Sequence, residues 1–379
     1  MEQVDFVIIG GGLFGVYTAL YLAGRKYKIC LIEKEANLFS KASMINQSRI
    51  HQGYHYPRSI TTAKMANEYK DRFIKDHAPF INSQFESYYA IEKTNSLIDS
   101  QQFEAFCSYM DIPAKKITRH PLINHDHLES LYFTEEFTFD PLSLAEYYNH
   151  KIRDNKNIHL ILQAKIEEAE QRDTGWFILY NQFGINETKT IQAASVINAT
   201  YTGTNSINQL FGMKTLELKY EISEMAFIES PEFKNTGLTV LDGPFASCIP
   251  YGLTGELSLT SVPFTHHRVS YDVLPQFDCQ KINDHCKPGY VDQCSACIAK
   301  PASNSHKMID QIKKYLNAQV TLEYLRSRFT IKTKLQSSNI DDGAPTEISK
   351  MNSSPDFYCL FSGKINSIYE IEKLLVPEF

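Results

Sequence analysis

Residues 4–15 read VDFVIIGGGLFG, and this stretch decides the fold of the chain. Its apolar, β-branched half predicts a buried strand, and its glycines predict a tight turn into a helix that runs from about Val16 to Ala23. A second apolar run, residues 29–32, ends at Glu33. This succession of strand, glycine turn, helix, strand and acid is typical of a βαβ unit that binds a dinucleotide.

Each glycine of the turn has a separate task in this interpretation. Gly10 lets the chain leave the strand sharply, Gly12 lets the backbone approach a pyrophosphate, and Gly15 lets the helix pack closely on the strands. The helix N-terminus offers free N–H groups and a positive dipole end to the diphosphate, and Glu33 is expected to accept hydrogen bonds from the adenosine ribose. The alternative is a strand–turn–helix unit without a ligand. The predicted cofactor-binding residues of this unit are Gly10, Gly12, Leu13, Phe14, Gly15, Glu33 and Lys34.

The 379 residues are enough for two domains, and the composition is that of an ordinary globular protein. A net charge of −6 argues against a nucleic-acid or anionic-membrane partner. No apolar run reaches the roughly 18 residues of a membrane span, and the apolar N-terminal run is a strand rather than a signal peptide. We therefore expect a cytoplasmic protein whose cysteines are thiols or metal ligands rather than disulfides.

Four motifs resemble those of one family of flavoenzymes. They are GGG at 10–12 with EK at 33–34, NQSRIHQGYHY at 46–56, VINAT at 196–200 and SGKIN at 362–366. Together they resemble the FAD-dependent D-amino-acid oxidase superfamily, which includes glycine oxidase, sarcosine oxidase and L-2-hydroxyglutarate dehydrogenase. The glycine that ends the third motif in the family is displaced here to Gly203.

The resemblance implies FAD as the cofactor and adds further contacts to it. It implies flavin contacts from the segment after the second strand, a backbone contact to adenine, and a late glycine turn at the flavin pyrimidine edge. The flavin contacts after the second strand are Ser43, Asn46, Gln47 and Gly53, and the adenine contact is Ile166. The end of the third motif adds Ala199 and Thr200, and the late glycine turn comprises Gly363, Lys364, Ile365 and Asn366.

The fold class expected from these features is α/β (α+β overall), with a Rossmann-like FAD-binding domain interleaved with a mostly antiparallel substrate domain. Asp140 and Pro141 predict a capped helix that runs to about Arg153. The expected FAD-binding segments are 1–83, 141–214 and 325–379. The expected substrate-domain segments are 84–140 and 215–324, with a cysteine-rich insert at 279–297.

The resemblance also implies the reaction: a hydride passes to the flavin from a carbon next to nitrogen or oxygen. The substrate is expected to be a small polar metabolite, either an amine, an amino acid or a 2-hydroxy acid, and oxygen or another acceptor receives the electrons. His51 is the first candidate for the general base, because an ordinary histidine pKa suits that task. Instead of acting as the base, His51 could form a covalent link to the flavin or pack against it. Tyr54 and His55, and after them Tyr56, are the next candidates.

One departure from the family concerns substrate binding. The family holds a substrate carboxylate with a late arginine before Pro-Thr, and Ala344 occupies that place here. The arginines that could substitute for it are Arg49, Arg58, Arg268, Arg326 and Arg328. This departure and the altered turn after Thr200 leave a non-catalytic flavoprotein that retains the fold open as an alternative. A further alternative is an NAD(P)-dependent oxidoreductase.

Four of the eight cysteines, Cys279, Cys286, Cys294 and Cys297, lie within nineteen residues. Thiolates at this density in a reducing compartment are typical of a closed, structural zinc centre, and His285 could replace one ligand. The alternatives are an iron–sulfur cluster and a loop with free thiols.

Overall fold

The N-terminal strand lies inside the first of two large sheets in the computed structural model, which describes residues 2–184, 187–339 and 345–375. The strands, in chain order, are β1 (Glu2–Ile9), β2 (Ile29–Ile32), β3 (Arg49–Ile50), β4 (Ile81–Asn82), β5 (Glu86–Glu92), β6 (Ala114–Ile117), β7 (Leu128–Thr134), β8 (Phe137–Phe139), β9 (Ile158–Ile161), β10 (Ala164–Arg172), β11 (Gly175–Gln182), β12 (Thr188–Asn198), β13 (Leu218–Glu229), β14 (Thr236–Leu241), β15 (Ala246–Pro250), β16 (Leu257–Ser261), β17 (His266–Ser270), β18 (Glu323–Leu335), β19 (Glu347–Ser353) and β20 (Asp356–Phe361).

Helices connect and cover these strands. They are α1 (Leu13–Ala23), α2 (Ile60–Glu68), α3 (Lys70–Asp76), α4 (Ser100–Met110), α5 (Pro141–Arg153), α6 (Thr204–Leu210), α7 (Val262–Thr265), α8 (Ser305–Lys313) and α9 (Glu370–Leu375). The predicted helix at 141–153 is confirmed, and the Asp140 carboxylate caps it by accepting hydrogen bonds from the N–H groups of Leu142 and Ser143. In the described part of the chain, none of the helices has the length and apolar character that a membrane crossing requires.

The first sheet has eight strands, with the order β10-β11-β12-β1-β2-β9 and with β20 and β19 continuing beside β12. Strands β12, β1, β2 and β9 run parallel, and β20 runs parallel to β12. Their side chains alternate between two buried faces: Ile8 packs in the cluster that contains α1 and α5, whereas Val7 packs in a cluster on the other face. Burial on both faces explains the continuous apolar runs, and the Rossmann-like expectation is confirmed.

The second sheet has nine strands, with the order β17-β13-β16-β15-β14-β5-β7-β6 and with β18 also paired to β13. All these pairs are antiparallel except the one between β14 and β5, so the prediction of a mostly antiparallel second sheet is confirmed. Strand pairing corrects one expected boundary. We placed residues 325–379 with the FAD-binding segments, but β18 pairs with β13 along its length and therefore carries residues 325–335 into the second sheet.

Three short strands form a separate third sheet. Its order is β3-β8-β4, and Arg49 pairs with Thr138 while Ile50 pairs with Phe137. This pairing brings the segment after residue 48 against the segment around residue 136, which are far apart in the sequence.

Candidate active site

A cavity of about 860 Å³ is lined by both large sheets. The first sheet contributes the residues that follow the carboxyl ends of β1, β2, β12 and β20, and the second contributes parts of β14, β15, β16 and β18. Ligands of open α/β sheets bind outside the carboxyl ends of the strands. The predicted site residues that line this cavity are Gly10, Gly12, Leu13, Phe14, Glu33, Lys34, Ser43, Asn46, Gln47, His51, His55, Ile166, Ala199, Thr200, Gly363, Lys364 and Ile365.

The glycine turn has the geometry that the sequence predicts. Gly10 has a φ of +111°, and a Cβ on it would lie 2.6 Å from the carbonyl oxygen of Ala199. A Cβ on Gly15 would lie 1.9 Å from the carbonyl oxygen of Gly10, so α1 packs closely on the turn because residue 15 has no side chain. Gly15 therefore shapes the turn but is not among the described residues that line the cavity.

Glu33 is held by the backbone around it. Its carboxylate accepts hydrogen bonds from the N–H groups of Gly11, at 2.5 Å, and Glu35, at 2.9 Å. Burial raises the pKa of Glu33, and these two N–H groups partly offset that effect. The carboxylate is thereby fixed at the cavity wall directly after β2, as expected of a group that contacts a ribose.

The segment after β2 connects the glycine turn to the second sheet. Ser43 Oγ accepts a hydrogen bond from the N–H of Leu13 at 3.0 Å. Asn46 donates to the carbonyl oxygens of Ala42 and Ser43 and accepts from the N–H of Ser48. The predicted contact residues in this segment are therefore ordered by the protein itself. Gln47 donates to the carbonyl oxygens of Ser247 and Ser258 in the second sheet.

The late glycine turn carries a buried cation. Lys364 Nζ donates to the Tyr56 hydroxyl and lies 4.0 Å from the centre of its ring. Burial lowers the pKa of Lys364 to about 7, and the charges of Lys334 and Lys332 lower it further. Asn366 is not among the described lining residues; it donates instead to the carbonyl oxygen of His51 and holds that segment in place.

His51 lies at the cavity wall with a carboxylate behind it. Its Nδ1 is 3.6 Å from Oε1 of Glu136, and its ring centre is 5.4 Å from that of Tyr56. Burial lowers the pKa of His51 to about 4, although Glu136 works in the opposite direction. The imidazole is therefore neutral near pH 7 and can accept a proton.

Glu136 belongs to a buried network that the sequence analysis missed. Arg49 donates to Glu136 and to the Tyr89 hydroxyl, each at 2.6 Å, and to the hydroxyls of Thr239 at 2.9 Å and Ser247 at 2.7 Å. Burial works to raise the pKa of Glu136, but Arg49 and His51 outweigh it and keep that pKa well below its usual range. Arg49 and Glu136 are 87 residues apart, and no local pattern marks them as partners.

The other candidates near His51 have different surroundings. His55 is exposed and lines the cavity, and its ring is 5.9 Å from that of His51. Desolvation by the surrounding protein lowers its pKa. Tyr54 is fully buried, donates to the carbonyl oxygen of Pro113 at 2.5 Å, and is not among the described lining residues. Gly53, also absent from that lining, has a φ of +114° and shapes the loop between His51 and Tyr54.

A group of cations lines the cavity from the second sheet, and it too was missed. Lys332 and Lys334 lie on β18, and burial lowers the pKa of Lys332 to about 8, with the charge of Lys334 adding to the effect. The nearby carboxylate of Glu221 bridges to Lys219 at 2.7 Å, to His266 at 3.4 Å and to Lys334 at 3.5 Å. Burial lowers the pKa of His266 to about 3, so its imidazole is neutral near pH 7. Lys219, Lys332 and Lys334 thus outnumber the one carboxylate, and this part of the wall is net positive.

The structure shows where the arginines lie that we proposed as substitutes for the late arginine. Of the five, Arg49 is the one found among the described lining residues. Arg326 forms a double hydrogen bond with Glu256, and Arg58 pairs with Asp242. The position of Ala344 lies outside the described residues.

The structure does not support the expected zinc centre. In residues 2–184, 187–339 and 345–375, no group of three or more His, Cys, Asp or Glu side chains is arranged to hold a metal ion. Cys279 and Cys286 instead pack in an apolar cluster with Phe277 and Val291. The sulfur of Cys286 accepts the N–H of Asp292 at 3.4 Å, so a thiol that we expected to bind metal orders the loop.

The residues around the cavity fit FAD. Gly10 and Gly12 present their backbone at the cavity wall without side chains, as a diphosphate requires. Glu33 lies at the same wall, and Gly363 lines another part of it. The cavity volume is within the range of about 300–1,000 Å³ that is usual for small-molecule and cofactor sites.

Known proteins resemble the chain in sequence and in fold. An FAD-dependent monooxygenase of Fusarium mangiferae is 23% identical over 367 residues, which are 96% of this chain and 87% of that protein. The glycerophosphate oxidase of Mycoplasma pneumoniae, solved with FAD bound, superposes with a TM-score of 0.74 at 15% identity over 98% of this chain and 94% of its own. Glycine oxidase of Geobacillus kaustophilus superposes with a TM-score of 0.69 at 13% identity, over 97% of this chain and 91% of its own. These superpositions establish the fold.

Residues 5–252, which are more than half of the chain, match the DAO family, described as FAD dependent oxidoreductase. The family that this match identifies is FAD-dependent, so the match favours FAD over the alternative of an NAD(P) cofactor. The chain therefore belongs to the DAO family and is an FAD-dependent oxidoreductase.

Proposed function

We propose that this enzyme oxidises a C–N or C–O bond of a small metabolite that carries an anionic group, such as an amino acid or a 2-hydroxy acid. The observation that supports it is a cavity wall where a neutral histidine, His51, lies close to the buried cation of Lys364. Lys332 and Lys334 add further positive charge there. Bound FAD supplies the hydride acceptor.

The lysines are suited to hold the anionic group of the substrate. Lys364 is buried and Lys332 is half-buried, and desolvation lowers the pKa of each. A carboxylate or phosphate that enters would favour the charged form of both lysines, because an opposite charge in a desolvated place stabilises that form. In our proposal these lysines take the role of the late arginine that this chain lacks. Their ammonium groups act as point charges, whereas an arginine would offer a planar guanidinium with two parallel hydrogen bonds.

His51 is suited to accept the proton that leaves the substrate nitrogen or oxygen. The ionised carboxylate of Glu136, 3.6 Å from Nδ1, favours a proton on that nitrogen and leaves Nε2 as the acceptor. Arg49 holds Glu136 in its ionised form. Oxygen or another acceptor takes the electrons that complete the turnover, and a cytoplasmic location remains our expectation.

Anaerobic reduction of the bound flavin tests the proposal. The holoenzyme is mixed with amines, amino acids, 2-hydroxy acids and polyol phosphates, each beside a matched neutral analogue such as the amide of the acid. We expect bleaching of the visible flavin absorbance by a member of the anionic set and a much weaker response to its neutral analogue. Reduction by neutral compounds alone would contradict the proposal.

A lysine variant then tests the anion site with the substrate so found. Lys332→Gln should raise KM by about ten- to a hundredfold with a smaller change in kcat, because it removes a charged hydrogen-bond donor from binding. Lys234→Gln, at an exposed position of the same domain, is the matched control and should leave both constants unchanged. An unchanged KM for Lys332→Gln would argue that the lysine does not contact the substrate.

A further inference from the structure

The cysteine-rich insert reaches the cavity through residues 288–293, which we call the covering segment. Pro288, Gly289, Tyr290 and Val291 line the same cavity as the glycine turn and Glu33. The covering segment comes from the chain between β17 and β18, both of which belong to the second sheet. It thus brings the second domain to the part of the site that contains the dinucleotide-binding unit.

Side chains that follow β2 hold the covering segment. The carbonyl oxygen of Val291 accepts hydrogen bonds from Lys34 Nζ and from Lys41 Nζ, the latter at 2.9 Å. Gln293 Nε2 donates to the carboxylate of Glu35 at 2.9 Å, and Lys41 pairs with the same carboxylate at 2.8 Å. These contacts connect the insert to the residues immediately beyond Glu33.

The ring of Tyr290 identifies which part of the cavity is covered. It lies 4.3 Å from Lys34 Nζ and 5.8 Å from Lys165 Nζ. Lys34 follows the acid expected to contact the ribose, and Lys165 precedes Ile166, which is expected to contact adenine. Tyr290 therefore lies at the end of the cavity where the adenosine half of the cofactor is expected.

Both ends of the covering segment are anchored. Near its start, the carbonyl oxygen of Gly289 accepts a hydrogen bond from Ser206 Oγ at 2.8 Å, and farther along it the N–H of Asp292 donates to Cys286 Sγ. After it, Ser295 exchanges two hydrogen bonds with the backbone of Phe329 on β18, at 2.8 and 2.9 Å. A segment held in this way is ordered before a ligand binds, which reduces the entropy cost of binding.

We propose that residues 288–293 are part of the FAD site and that they cover the adenosine half of the cofactor, so that the second domain slows FAD dissociation. The aromatic ring of Tyr290 supplies the contact surface, and the lysine bonds to Val291 keep it in place. The cysteines of the insert support this segment through packing and N–H···S hydrogen bonds.

The release of FAD from the holoenzyme tests this proposal without reference to any substrate. After dilution, released FAD is followed by flavin fluorescence and by the ratio of flavin to protein after gel filtration. Tyr290→Ala should release FAD about tenfold faster than the unchanged enzyme. Tyr290→Phe, which keeps the ring, should release FAD at about the rate of the unchanged enzyme. Tyr109→Ala removes another tyrosine that pairs with a lysine, Lys64, and should have no effect.

Lys41→Met is the second variant, because it removes one bond to Val291 and the pair with Glu35 while keeping the length of the side chain. It should also release FAD faster than the unchanged enzyme. Release at the unchanged rate from folded Tyr290→Ala would overturn the proposal. If that variant does not fold, an unchanged rate from Lys41→Met would overturn it.

Discussion

Two of the partners of Glu136, Arg49 and His51, define its role. Arg49 keeps its carboxylate ionised, with Nη1 at 2.6 Å from Oε2, while Oε1 faces His51 Nδ1 at 3.6 Å. In our proposal Glu136 positions His51 and does not touch the substrate. A buried ion pair of this kind does not by itself indicate high stability, because desolvation offsets much of the attraction.

Replacing Glu136 tests this positioning. Glu136→Gln keeps the shape but removes the charge that favours protonated His51, so the pKa of His51 should fall further. We expect flavin reduction by the substrate to slow by about tenfold or more, and the acidic limb of kcat/KM to move to lower pH. Stopped-flow reduction at several pH values measures both effects.

The adjacent residue provides the control for this prediction. Glu135 is exposed, and Glu135→Gln should leave the rate and the pH profile unchanged. Should Glu136→Gln fold poorly because Arg49 loses its partner, His51→Gln gives a second measurement of the same step. A rate and a pH profile that neither variant alters would contradict the role of both residues.

Among the elements, α1 packs closely on the glycine turn because glycines at the contact have no side chains. Its N-cap is Gly12 and its C-cap is Gly24, and the helix buries Val16, Ala19 and Leu22 against the first sheet. Close packing at Gly15 sets the distance between the helix N-terminus and the glycine turn. That distance decides how near the free N–H groups lie to a diphosphate.

Two glycines of this region should differ sharply in their tolerance of a methyl group. Gly15→Ala would place a Cβ 1.9 Å from a backbone oxygen, so we expect a loss of about 2 kcal/mol or more in unfolding free energy and weaker FAD binding. Gly24→Ala meets its nearest atom at 3.4 Å and should change stability by less than about 1 kcal/mol. Urea unfolding and FAD titration measure both variants, and equal effects would contradict this account.

Across the whole molecule, several ionisable groups are buried around one cavity, and they make stability depend on pH. Burial lowers the pKa of His51 to about 4 and the pKa of His266 to about 3. In the unfolded chain both pKa values return to about 6.5. Between these limits the unfolded chain binds more protons than the folded protein, so stability must rise with pH.

We therefore expect the holoenzyme to lose stability as the pH falls from about 6.5 to about 5, by at most about 1.4 kcal/mol per pH unit for each such histidine. Urea unfolding across this interval measures the slope. His266→Gln should make it shallower, because it removes one of the groups. A stability that stays constant or increases on acidification would contradict the burial of these histidines as neutral groups.

Local patterns were sufficient for the parts of the fold that depend on neighbouring residues. The glycine turn follows from Gly10 and Gly15, and the helix after Asp140 follows from its cap and from Pro141, because turns and caps are decided by a few adjacent residues. The boundary near residue 325 was misplaced, since an apolar alternating strand does not indicate which sheet it joins.

The sequence by itself determined that the chain forms a dinucleotide-binding unit and that motifs of one flavoenzyme family recur along it. Only the tertiary structure places Glu136 next to His51 and Lys332 near Lys364. It also places the cysteine-rich insert at the cavity near Glu33, and the described residues of that insert do not form a set of metal ligands. The physical reason is that motifs are short-range, whereas these contacts join residues far apart in the chain. Their meeting depends on strand pairing and burial, which no single segment encodes.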